Sequence, residues 1–353
     1  MGAKKRKMEA KGLFNVARKE FIDHLTSKRF IIILALFLII SASGIHEGIN
    51  HYNLHLESYK ELISQIKEVE GIEPGYMPEK PSIMLVFLFM SRQIMMLGAI
   101  LAIAMGFDRV SEEKETRTLK SLLSCPVFRD EIINGKALGG TLALVFAMGA
   151  ALLISLAVLL IFSIVPSMNE LAAILVFGIV SILFLLAYFA IALMVSTVSG
   201  KSGSALIYTL VIFFILGSLL PIVGGTVAHM VSGDQPKSPV VFDIRHVTNM
   251  SEGPSFKEVT EEEIQQYNEE MEAWLVKRKL IIEAFTVISP NMNYERFSRR
   301  IDSSSSVTTP YGDEAPGLQD VLGKVWKNIL ALISFSVVFF ALAYVKFMRM
   351  DIR

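Results

Sequence analysis

The chain has 353 residues, 34 Lys or Arg against 34 Asp or Glu, and a formal net charge of zero, so global charge gives no reason to expect a nucleic-acid partner. It is 52% hydrophobic and only 19% charged, with a mean hydropathy of +0.50, and its apolar residues lie in long blocks without strand or helix period. A soluble two-domain reading of this length is thereby excluded. The single cysteine, Cys125, excludes an internal disulfide. Blocks of about 20 apolar residues match the hydrocarbon thickness of a bilayer, and in lipid such blocks must be helical to pair their backbone groups. The sequence therefore reads as an all-α membrane protein with six transmembrane helices.

In chain order, residues 1–29 form a basic, amphipathic N-terminal segment with nine Lys or Arg. The first span covers 30–45 (FIIILALFLIISASGI), which is short for a full crossing. A cleaved signal peptide would need a short basic region and a small-x-small site. Here the basic region is long, and no clean site follows Ile45. Residues 46–82 form an outside segment with a helical apolar stripe (Leu54, Tyr59, Leu62, Ile63, Ile66, Val69) that ends in the proline-rich EPGYMPEKP. The second span is 83–107. A charged loop follows at 108–136, then the third span at 137–165, the turn PSMNE, and the fourth span at 171–198. The fifth, 204–230, contains Pro221, Gly224 and Gly225. A long segment, 231–325, leads to the sixth span, 326–347, and a short tail, 348–353.

Basic residues set the direction, counted over short flanks. The N-terminal segment has nine Lys or Arg, the 108–136 loop six and the C-terminal KFMRMDIR three, whereas residues 46–81 carry three Lys against seven Glu. Alternating sides over six spans puts both termini and the charged loop in the cytoplasm. Long segments cross regardless of charge, so the basic residues of 231–325 do not disturb the assignment. Within that segment Thr260 and Glu263 form a capping box. Ile264, Tyr267, Met271, Trp274, Arg278, Ile281 and Phe285 then follow at steps of three and four. This seam must bury against something: the first outside helix or a second copy of the chain. Asn249-Met-Ser251 is a weak glycosylation sequon, and SSSSVTTP reads as a flexible linker.

No GxxxxGK[ST] occurs; Gly200-Lys201-Ser202 has Val195 where the first glycine should stand, so the chain has no phosphate-cradling loop. HEGINHYNLH offers His46, His51 and His55 as weak metal candidates. The zincin spacing is missed by one residue, and a solvated stretch is the better reading. Arg92, inside the second span, is either a functional intramembrane charge or a residue near the outer headgroups; in both cases it should face protein or water.

The stretch GFDRVSEEKETRTLKSLLSCPVFRDEIINGK, residues 106–136, holds twelve charged residues between two apolar blocks. The pattern predicts a helix over 112–123 capped by Ser111, stopped by Pro126, and a second helix from Arg129 into the third span. Pattern alone leaves two readings open, a docking element for a soluble partner or a solvated connection.

This stretch closely resembles the signature of type-two ATP-binding-cassette permeases: GFD-x-x-S-x-E, then TL-x-x-LL-x-x-P, a basic residue and GK. Gly106, Phe107, Asp108, Ser111, Glu113, Thr118, Leu119, Leu122, Leu123, Pro126, Arg129, Gly135 and Lys136 match. The family usually has Gly before the Thr-Leu pair, where this chain has Arg117. ARKEFIDHLTSKRF near the N-terminus and ISPNMNYERFS before the sixth span resemble two further family segments, so the likeness runs along nearly the whole chain. It implies the membrane half of an ATP-driven transporter, with a coupling helix seated on a separate cassette ATPase. Two permeases, as a homodimer or pseudo-dimer, would carry two ATPases that hold the ATP and Mg. It further implies that Glu113, Thr118, Leu119, Leu122, Leu123, Pro126 and Arg129 form the docking contact. The N-terminal helix around Glu20 and Phe21 would lie along the inner headgroups of the cell membrane. Two other functions fit the residues: a membrane metallohydrolase using His46, Glu47, His51 and His55, and a regulatory membrane subunit that moves nothing. Apolar span faces lean towards a hydrophobic or amphipathic cargo.

Overall fold

A computed structural model of the chain describes residues 2–68, 81–118, 128–238, 260–302 and 318–350. Among the described residues, six helices are long and apolar enough to cross a membrane: Lys28–Gln65, Met84–Glu115, Arg129–Ile161, Met168–Val198, Ser202–Ser232 and Leu322–Met348. Among the described residues there is no strand. The chain forms two compact units: Met1–Phe214 with Pro290–Arg353, and Ile215–Ser289.

In the first unit, α1 (Gly2–Thr26) breaks at Ser27 and α2 (Lys28–Glu68) follows. The sequence reading ended the first span at residue 45 and began a separate segment there. Instead α2 runs unbroken for 41 residues, which at about 1.5 Å per residue is roughly twice the hydrocarbon thickness. Nothing in SASGIHEGINHYNLH stops a helix. Its glycines serve packing: a Cβ on Gly48 would lie 2.8 Å from Val86 Cα. Further along the stripe, Leu54 and Leu62 are exposed. The second span comprises α3 (Met84–Gln93), a π turn at Ile94–Gly98, and α4 (Ala99–Gly106). The short α5 (Ser111–Glu115) opens the charged loop.

α6 (Arg129–Ile161) carries the loop's second helix into the third span without a break, as the sequence predicts. α7 (Met168–Val198) starts at a capping box between Ser167 and Glu170 and forms the centre of the unit, with 67% of its most apolar window buried. It packs against α4, α6 and the last helix, α12 (Leu318–Met348). α8 (Ser202–Phe214) packs on α7 and begins the fifth span. α11 (Pro290–Asp302) is clamped to α7 by aromatic packing. Its fully buried Tyr294 stacks on Phe184 at 4.6 Å and shares a 2.7 Å hydrogen bond with Ser181. The Tyr188 hydroxyl donates to Asn291. A tyrosine hydroxyl this deep needs such a partner.

The second unit contains a π turn (Ile215–Leu219), α9 (Leu220–Ser232) and α10 (Glu261–Ile288). The predicted Thr260–Glu263 capping box is present. So is the seam: Tyr267, Met271, Trp274, Arg278, Ile281 and Phe285 are half-buried at steps of three and four. Arg278 stacks on Trp274, 5.2 Å from the ring centre, which explains a charge at a seam position. The seam's partner is neither expected candidate but α9. Gly224 lacks the Cβ that would lie 2.8 Å from the Phe285 ring, and Trp274 Nε1 donates to the Gly233 carbonyl at 3.0 Å. The sequon and the serine-rich linker lie outside the described residues.

Candidate functional site

Where α4 ends and α6 begins, charged side chains from five segments meet. α1 and α6 run side by side in the same direction, paired in steps of four. A Cβ on Gly12 would strike Glu131, one on Gly135 would strike Val16, and one on Gly139 would strike Glu20 and Ala17, all within 2.8 Å. Glycine lets the backbones approach here. That contact turns Ala17, Glu20 and His24 of α1 inward. Glu20 is 4% exposed and packed against protein.

Lys136 Nζ sits between two carboxylates, 2.7 Å from Glu20 Oε1 and 2.7 Å from Glu113 Oε1. Arg109 reaches Glu20 Oε2 at 3.5 Å and Asp108 Oδ1 at 3.0 Å, and Arg29 reaches Asp108 Oδ2 at 3.3 Å. Three carboxylates thus face three cations, tying α1, α2, the end of α4, α5 and the start of α6 together. Burial pushes the Glu20 carboxyl up, but the Lys136 ammonium and the Arg109 guanidinium outweigh it and hold the group below the ordinary glutamate range. His24 goes the other way. Burial and the neighbouring Arg109 push it down to about 3, so it stays neutral at physiological pH.

α5 is bolted to a second pair of helices. The Ser196 hydroxyl of α7 accepts the Val110 and Ser111 amides, both at 3.0 Å. Ser111 was expected to cap this helix; its own hydroxyl instead donates to the Phe107 carbonyl at 2.9 Å. Lys114 donates to the Thr197 and Ser199 carbonyls at 2.5 and 3.1 Å, which neutralises the C-terminal end of α7. Glu115 accepts the Ser202 amide at 3.0 Å at the N-terminus of α8. Each charge therefore meets the helix end whose dipole favours it.

After Glu115 the predicted helix over 112–123 breaks. Arg117 has φ 60, in the left-handed region that a side chain disfavours. This is the position where the resemblance expects glycine. Thr118 is exposed and shares a 2.9 Å hydrogen bond with Thr116. Leu119, Leu122, Leu123 and Pro126 lie outside the described residues. Arg129 donates to the Met350 carbonyl at 2.9 Å, beyond the end of α12. Of the candidate docking residues described, Glu113, Thr118 and Arg129 all have partners within the chain, and Thr118 is exposed.

The remaining candidates stand apart. Arg92 is exposed on α3, 5.5 Å from the Phe89 ring centre. His51 stacks on that same Phe89 ring at 4.7 Å, while His46 packs on Phe162 at 5.6 Å. The two histidines thus face different helices, and among the described residues no group of three His, Cys, Asp or Glu comes together to hold a metal. Sequence reasoning missed Arg29, Arg109, Lys114, Glu115 and Ser196. The available signal was charge placed at both ends of apolar blocks, where an unpaired charge is costly.

The geometry explains the loop's spacing. The Glu near the start of the signature and the Lys at its end form an ion pair, Gly106 sits where a Cβ would lie 2.8 Å from Ala192 Cβ, and Gly135 admits α1. No curated protein matches the chain significantly. The family model described as ABC-2 family transporter protein matches residues 14–352, almost the full length, alongside six helices able to span a membrane. The chain is thus a multi-pass membrane protein that belongs to the ABC-2 family of transporter permeases.

Proposed function

We propose that the chain is the permease subunit of an exporter of a hydrophobic or amphipathic substrate, driven by a separate cassette ATPase on the 108–136 loop. Both termini and this loop face the cytoplasm of a cell-membrane protein. Two permeases, identical or paired with a relative, carry two ATPases, which hold the ATP and Mg. One observation carries the reading: α5 is joined by ion pairs and hydrogen bonds to α6, α7 and α8, and through Lys136 to Glu20 of α1. A load applied just beyond Glu115 reaches the N-terminal helix and the ends of the third, fourth and fifth spans together. Glu113 and Arg129 act in this scheme as transmitting residues within the permease. Thr118 and the leucines after it supply the contact with the ATPase.

A photo-crosslinking amino acid at Thr118 tests this in native membranes. The expected product is an adduct with a protein that carries a phosphate-binding loop. The same group at Met168, 84% exposed at the far end of α7, gives none. Absence of an ATPase adduct at Thr118, with the variant inserted normally, overturns the docking assignment.

A further inference from the structure

Between α1, α6, α7 and α12 of the first unit lies an open-sided cavity of about 440 Å3. Its walls, among the described residues, are Leu13 of α1, Leu138 of α6, Leu186 and Phe189 of α7, and Val337 and Phe340 of α12. Two alanines, Ala137 and Ala190, leave the space between them. Gly140 contributes too: a Cβ there would lie 2.3 Å from Phe189 Cζ, so the glycine lets the tip of that ring approach α6.

Among the described residues the lining carries no charged side chain. Its two hydroxyls are already committed to helix carbonyls, Thr141 to Ala137 at 2.8 Å and Ser336 to Leu332 at 3.1 Å. Only the Asn134 amide remains to meet a polar group. Water gains little in such a space, because a water molecule needs two to four polar partners. A cavity left empty would forfeit the dispersion contacts of its whole lining. At roughly 30 Å3 for each water-sized group, the volume accommodates about fifteen heavy atoms. That is the size of one long hydrocarbon tail.

Depth agrees. Ala137 and Leu138 lie within ten residues of the start of α6, Ala190 within nine of the end of α7, and Phe340 within nine of the end of α12. At about 1.5 Å per residue, all three approaches place the cavity within about 15 Å of those helix ends, in one leaflet. These are the ends that carry the ion-pair network.

We infer that this cavity is a binding site for one acyl chain of a membrane lipid from the leaflet at the charged end of the bundle. The tail wedges α1 against α6, α7 and α12, and Asn134 stands where the chain nears its polar end. Hydrophobic burial supplies no net drive within a bilayer, so retention rests on shape and van der Waals contact. The inference concerns lipid binding by the permease alone and does not depend on the ATPase or the cargo.

The test reconstitutes the full chain into phosphatidylcholine vesicles containing a phosphatidylcholine with a photoreactive diazirine in its acyl chain. Adducts are mapped by mass spectrometry. Peptides containing 134–141, 186–190 and 336–340 are expected to label at least fivefold more strongly than 207–214. That control stretch of α8 exposes Ile207, Val211 and Phe214. Ala137→Phe, which fills the cavity, is expected to reduce cavity labelling at least fivefold and leave 207–214 unchanged. Leu13→Trp narrows the same space from α1 and decides the matter if Ala137→Phe fails to insert. Equal labelling of cavity and control, or cavity labelling that survives both variants, overturns the inference.

Discussion

Lys136 brings an ammonium into a site where its side chain is 3% exposed, with carboxylates of Glu20 and Glu113 each at 2.7 Å. Taking one cation out of such a group leaves two carboxylates facing each other away from water. Removing one partner of a buried pair costs about 3–5 kcal/mol, whereas exchanging the whole group for apolar residues is often neutral. Lys136→Met is therefore expected to destabilise the detergent-solubilised protein by about 3–5 kcal/mol. Glu20→Gln combined with Lys136→Met should cost less than the sum of the two single changes. The coupling energy expected for groups in contact is about 0.5–3 kcal/mol. Thermal unfolding of the four proteins measures it; strict additivity would mean that the pair does not interact in solution. The sequence shows Lys136 as the last residue of a recognisable loop pattern but not its neighbours. Glu113 is 23 positions away and Glu20 is 116, and the nearer contact falls across a segment whose path no local periodicity defines.

At the scale of elements, span positions were legible because hydropathy blocks of this length have one physical solution in lipid. The capping boxes at Thr260 and Ser167 and the seam of α10 follow from side-chain chemistry or period, and the first and last of these were readable in advance. Two boundaries were not. α2 continues past residue 45 because its polar second half lacks any helix-breaking residue, so the change in composition marks a change of surroundings and not of backbone. The helix predicted over 112–123 stops at Thr116–Arg117 for a reason opposite in kind: a left-handed arginine breaks it, and an arginine gives no warning of that conformation. Replacing it tests the point. A left-handed backbone costs a side-chain residue about 1–2 kcal/mol, and glycine's extra freedom in the unfolded chain takes back about 0.5–1 kcal/mol. Arg117→Gly is thus expected to be neutral or to stabilise by up to about 1.5 kcal/mol. Arg117→Val, whose branched Cβ tolerates that region worst, should destabilise by more than about 1 kcal/mol. Thermal midpoints in detergent distinguish these outcomes. A glycine variant less stable than the valine variant would show that the turn is not left-handed in solution.

For the whole molecule, the direction of the chain across the bilayer decides whether the charged loop can meet an ATPase at all. The distribution of basic residues predicts that this loop, with both termini, lies in the cytoplasm. The chain carries its own reporter: Cys125, the single cysteine, lies within residues 108–136. A membrane-impermeant maleimide is expected to label it in inside-out vesicles and to leave it unlabelled in right-side-out vesicles or intact cells. Thr118→Cys in a Cys125→Ser background places the thiol on a residue that is exposed in the structure, so it reports even if Cys125 is shielded by a partner. Protection of Cys125 in inside-out vesicles, relieved by salt or alkaline stripping of peripheral proteins, would show a subunit covering the loop. Labelling in right-side-out vesicles would turn the chain over. The ion-pair network would then sit on the outer face, away from cytoplasmic ATP, and it would have to serve the permease in some role other than receiving the ATPase stroke.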